Sequence, residues 1–182
     1  MTLNELLETL PAYARDLKLN LSSLLTQTEL TEQQTWGTVV ASAVASRNEE
    51  IVRAALGEAA AHLSPQVIDA AKGAAAIMGM NNIYYRFLHF TSNEKYRTIP
   101  ARLRMNILRA HGVDALDFEL WCLAVSAIHG CGTCVDSHEK TLREKDVREE
   151  TIVAAVRIAS VIHALASVLE AEKAVAPIAA IA

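Results

Sequence analysis

Cys131 and Cys134 stand three positions apart, and they are the residues whose type and spacing most directly suggest chemistry. Side chains three apart on a helix, or in its first turn, share a face. Two sulfurs so placed can close and reopen a disulfide with little backbone movement. Unpaired amides at a helix start, together with the macrodipole, favour a thiolate. In such settings a cysteine pKa of about 8.5 falls to roughly 3.5–7.5. His138 follows Cys134 by one further turn of the same face, where it can take up the thiol proton directly or through one water. Glu119 lies on the preceding apolar segment among Leu120, Trp121, Leu123 and Val125, where a carboxylate is costly to bury without a partner or a task. A turn at His129-Gly130 that folds this segment back brings Glu119 to face the cysteines. The residues alone leave two outcomes open. One is a reversible dithiol; the other is a zinc site of Cys131, Cys134 and His138 completed by Cys122 or Glu119, although no second cysteine pair follows.

The elements that must position these residues are all helical. Alanine is abundant, 52% of the 182 residues are hydrophobic, and seven glycines and four prolines leave few breaks. Leu3, Leu6, Leu7 and Leu10 recur at helical spacing, and Pro11 restarts the chain into a second stretch ending near Leu25. Thr31 with Gln34 reads as a capping box, Asn48 as a cap, and Ser64-Pro65 as the start of a buried helix. Residues 91–98 read as the longest loop, followed by a helix over about Pro100–Ala110. Asp114 caps the apolar helix through Ile128, a further helix carries the cysteines to about Lys145, and the last spans about Arg148–Glu172. Strand alternation and hairpin dipeptides are missing, so the expected class is all-α, in one compact multi-helix domain over residues 1–182. Trp36 and Ser42-Ala43-Val44 echo Trp121 and Ser126-Ala127-Ile128, as two degenerate halves at about 31–90 and 114–172 would. Chance similarity between alanine-rich helices produces the same echo, so duplication stays open at this level.

The formal net charge of −4 and the scattered lysines and arginines argue against nucleic acid as a partner. The opening residues lack a secretory layout, and Arg157 and His163 interrupt the last apolar stretch, so neither secretion nor membrane insertion is expected. Three cysteines do not form a structural disulfide framework, and a cytoplasmic protein is expected. Cys122, Trp36 and Trp121 read as core, Met78-Gly79-Met80 as tight helix packing, and the histidines other than His138 carry no functional pattern.

A glutamate, eleven residues, then Cys-x-x-Cys-x-x-x-His is the pattern formed by Glu119, Cys131, Cys134 and His138. It resembles the motif of the alkyl hydroperoxidase D (AhpD) family, within the carboxymuconolactone decarboxylase-like superfamily. Met78 through Arg86, Leu103 through Ile107 and Leu17 through Ser23 also resemble segments of that family, so the likeness covers nearly the whole chain. The resemblance implies an antioxidant oxidoreductase that reduces alkyl hydroperoxides and regenerates an AhpC-type peroxiredoxin. It implies electrons from a dihydrolipoyl-bearing protein and lipoamide dehydrogenase, and a homo-oligomer, a trimer or a hexamer. By the same likeness Cys134 becomes the sulfenic acid or the mixed disulfide with the peroxiredoxin, and Cys131 closes the intramolecular disulfide. Glu119 and His138 then relay protons; no resident cofactor or metal is expected. The best-known members carry histidine immediately before the second cysteine, where this chain has Thr133, a departure that bears on direct peroxidase activity and on partner preference. Two other classes compete: a carboxymuconolactone decarboxylase-like enzyme, for which the cysteines would be dispensable, and a zinc-binding helical interaction protein.

Overall fold

Side-chain caps set where most of the helices begin. The computed structural model describes residues 2–179, with side chains to 175. It contains eight α-helices and no strand among those residues. Thr2 forms a capping box with Glu5 at the head of α1 (Leu3–Glu8), and α2 (Arg15–Leu24) follows a short 3₁₀ turn. Thr31 and Gln34 form the expected box at α3 (Glu32–Ser46), Asn48 caps α4 (Glu49–Ala59), and Ser64-Pro65 opens α5 (Pro65–Phe90). Asp114 accepts from the amides of Leu116 and Asp117 to start α6 (Ala115–Ile128). Cys131 is itself the N-cap residue of α7 (Gly132–Arg143), and α8 (Glu149–Ala179) closes the chain.

The core lies where α3, α5, α6 and α8 meet; α7 rests on α6 and α5, while α1 and α2 flank the bundle against α4 and α8. Gly37 of α3 faces Trp121 of α6. A Cβ there would stand 2.2 Å from the ring carbons of the fully buried Trp121, so glycine is required for that indole to seat. The helix order recurs: α3, α4 and α5 have 15, 11 and 26 residues, and α6, α7 and α8 have 14, 12 and 31.

Two sequence expectations are corrected. No helix forms over Pro100–Ala110; the chain runs without regular structure to a single 3₁₀ turn at Asn106–Leu108, and a second such turn, Glu94–Thr98, lies inside the segment expected to be loop. Arg102 takes φ +51°, in the left-handed region, which a right-handed helix cannot pass through. Met105, Ile107 and Leu108 pack on the core from that segment. Gly79 is not a site of tight packing, because an added Cβ would touch nothing within 4 Å. Glu149–Val175 of α8, which includes Arg157 and His163, is long and apolar enough to cross a membrane by length and composition alone. Its apolarity has a second outlet in the fold, since 56% of its most apolar window is buried against the other helices. Val153, Arg157, Ser160, His163 and Ser167 form the outward stripe.

Candidate active site

The turn between α6 and α7 delivers the cysteines. At the end of α6, Gly130 adopts φ +66°, its amide donates to the Ala127 carbonyl, and the Cys131 amide reaches back to the Ser126 carbonyl at 3.1 Å. This is a Schellman closure, which requires a left-handed residue that glycine adopts without strain. It reverses the chain within two residues, so α7 starts at Gly132, with Cys131 as its cap, and lies back along α6. Cys134 falls in the first turn of α7, beside the amides that lack helical partners.

The two sulfurs are joined as a disulfide, with the Cα atoms 5.3 Å apart. Their surroundings differ. Cys131 is fully buried, whereas Cys134 retains 6% exposure and lines a cavity of about 350 Å³. Met78, Asn81 and Tyr85 of α5, Met105 and Leu108 of the α5–α6 connection, and Thr133, Ser137 and His138 of α7 complete the walls. The mispredicted segment thus roofs the cysteine. A larger cavity of about 540 Å³ around Trp36 and His62 holds none of these groups.

His138 and Glu119 meet across the α6–α7 contact, Nδ1 to Oε2 at 2.6 Å. The other ring nitrogen, Nε2, points to the Met78 sulfur at 3.3 Å. Each nitrogen therefore faces an acceptor, and the imidazole is fixed in orientation from both sides. Behind it lies a buried polar chain. Asn82 Nδ2 donates to Ser126 Oγ at 2.9 Å, Ser126 Oγ donates to Met78 Sδ at 3.5 Å, and His129 Nδ1 meets Asn82 Oδ1 at 2.9 Å. Arg86 donates to the His129 carbonyl and so ties α5 to the end of α6. Burial, then the Arg47 guanidinium, holds the pKa of His129 below the ordinary imidazole value, against the pull of the Ala45 carbonyl. Burial, reinforced by the Glu119 charge, pushes the Cys122 thiol well above its usual range, in keeping with a core residue.

The four residues singled out from the sequence form two pairs, Cys131 with Cys134 and Glu119 with His138, and Cys134 and His138 line one cavity. For zinc the donors are already engaged with one another: sulfur with sulfur, and His138 with Glu119 and Met78. The sequence did not single out Asn81, Asn82, Ser126 or His129, nor assign Met78 to the site. An adjacent asparagine pair in the middle of an apolar helix was the available signal.

Comparison with known proteins fits this geometry. Residues 95–177, which include Glu119, both cysteines and His138, match the carboxymuconolactone decarboxylase family. Over 183 aligned residues, all of both chains, the sequence is 63% identical to the alkyl hydroperoxide reductase AhpD of Acidobacterium capsulatum. This chain belongs to the AhpD family. The AhpD of Solibacter usitatus is 60% identical over 94% of this chain and 97% of its own, and that of Brucella anthropi is 53% identical over 94% and 98%. With AhpD relatives aligned along nearly the whole chain, the resemblance read from the motif extends to the helices that carry it.

Proposed function

We propose that the protein is an alkyl hydroperoxide reductase working through a reversible Cys131–Cys134 couple, as the names of its relatives suggest. The observation that carries the reading is the asymmetry of the pair. Only Cys134 opens onto the cavity, with a His138–Glu119 pair one turn away, while Cys131 waits behind it within bonding distance. In the reduced protein, the Cys134 proton passes toward His138 and the thiolate is favoured by the first turn of α7. The thiolate attacks the terminal oxygen of the hydroperoxide. The sulfur–oxygen bond forms as the oxygen–oxygen bond breaks, the alkoxide takes a proton and leaves as alcohol, and Cys134 is left as sulfenic acid. Cys131 then attacks that sulfur, releasing water and closing the disulfide.

Two electrons must return in each cycle. In this reading a dihydrolipoyl dithiol, kept reduced by lipoamide dehydrogenase, attacks the disulfide and leaves as lipoyl disulfide. An oxidised AhpC-type peroxiredoxin is the alternative oxidant, forming a mixed disulfide at Cys134. A cytoplasmic setting belongs to the reading, because the dithiol needs a steady source of electrons. So does assembly into a homo-oligomer, a trimer or a hexamer. It is supported by Ile83, Phe87 and Phe90, which stand exposed on one stripe of α5, with Tyr96 against Phe87.

The test is steady-state reduction of tert-butyl hydroperoxide with dihydrolipoamide as donor, for the parent protein and for Cys131→Ser and Cys134→Ser. Turnover by the parent and its loss in both variants is the expected result. Parent-level turnover in both variants would remove the reading.

A further inference from the structure

Two neighbouring asparagines on α5 are treated very differently by the fold. Asn82, fully buried, uses its amide on Ser126 and its carbonyl on His129. Asn81 is 4% exposed, lines the cavity over Cys134, and finds no hydrogen-bond partner among the described residues; its Oδ1 is buried unpaired. A buried carboxamide oxygen without a partner is destabilising, because no hydrogen bond replaces the one it loses to water. Such groups are rare in folded proteins and call for a cause. A leucine of nearly the same shape would fill the position without that cost. The other cavity walls next to it, Met78, Tyr85, Met105 and Leu108, are largely apolar.

We propose that Asn81 is a substrate-binding residue whose carboxamide grips the hydroperoxide group of an apolar substrate in the Cys134 cavity. The proposal rests on the hydroperoxide reductase reading above. An alkyl hydroperoxide carries a donor on its terminal oxygen and an acceptor on the oxygen that bears the alkyl group. A carboxamide offers the matching acceptor and donor side by side, so one asparagine can hold both oxygens at once. Oδ1 is sealed from the cavity in this disulfide form, so the carboxamide turns about its terminal torsion to bring the carbonyl onto the terminal oxygen that the Cys134 thiolate attacks. Its amide N–H points to the second oxygen, where negative charge develops as the oxygen–oxygen bond breaks, so that hydrogen bond strengthens toward the transition state. The alcohol product has one oxygen and cannot span both positions, which favours its release. The apolar walls receive the alkyl group.

The experiment separates the two half-reactions in Asn81→Leu, with Asn81→Ser as a second variant that adds no bulk. Oxidation of the reduced protein by tert-butyl hydroperoxide should lose about 10- to 100-fold in second-order rate. Reduction of the Cys131–Cys134 disulfide by dihydrolipoamide should keep the parent rate. The thermal midpoint of Asn81→Leu should equal or exceed that of the parent, a combination that a structural role would not give. An unchanged hydroperoxide rate in both variants overturns the proposal. So does a loss confined to the dihydrolipoamide step, which would mean that Asn81 reads the lipoyl amide instead, or an equal loss in both steps. If the parent itself fails to reduce hydroperoxide, the underlying reading falls and the proposal with it.

Discussion

His138 has no freedom to turn its ring without giving up a contact, since Glu119 holds one nitrogen and Met78 the other. To take up the Cys134 proton, Nε2 exchanges its Met78 contact for the sulfur or a water, while Glu119 keeps hold of Nδ1 and so of the ring's orientation. Cys122, three residues along α6 from Glu119, shows the contrast: burial keeps its thiol protonated and inert. Replacing His138 by glutamine should lower hydroperoxide turnover at pH 7 by about 100-fold, the usual share of a positioned proton acceptor. Part of the loss should return as the pH is raised toward 9, because Cys134 then ionises without help. A pH–rate profile of the variant checks this, and a profile superimposable on that of the parent would show His138 to be a bystander.

Helix contacts set the positions of these side chains, and glycine decides how close two of the helices come. Gly37→Ala drives a methyl into the Trp121 ring and should cost about 1–3 kcal/mol in urea unfolding. Gly79→Ala, with open space around it, should be neutral or stabilising by up to about 1 kcal/mol. Comparable destabilisation by both would contradict the packing described. The helix starts were legible in the sequence because a cap is a local event: Thr31 with Gln34, Asn48, Ser64-Pro65 and Asp114 each act within three residues. The Cys131–Cys134–His138 spacing was legible for the same reason. The break within Pro100–Ala110 was not legible, because the left-handed position is held by Arg102 and not by a glycine or asparagine that would announce it. Asn82, His129 and Met78 escaped because their partners lie 44, 47 and 60 residues away along the chain. Only the folded packing of α5 on α6 and α7 reveals what they touch.

At the scale of the whole molecule, α6 and α7 bring the reacting groups together, α5 supplies the cavity wall, and the α5–α6 connection covers it. The result is a single sulfur open to small molecules and a second one sealed behind it. The catalytic account depends on that difference: Cys134 meets the oxidant and Cys131 resolves. The most direct measurement is intact-mass and peptide analysis of each reduced single-serine variant, treated with one equivalent of tert-butyl hydroperoxide in the presence of dimedone. The account predicts a dimedone adduct on Cys134 in Cys131→Ser and an unmodified Cys131 in Cys134→Ser. An adduct on Cys131 of Cys134→Ser, with Cys134 of the other variant left unmodified, would contradict it.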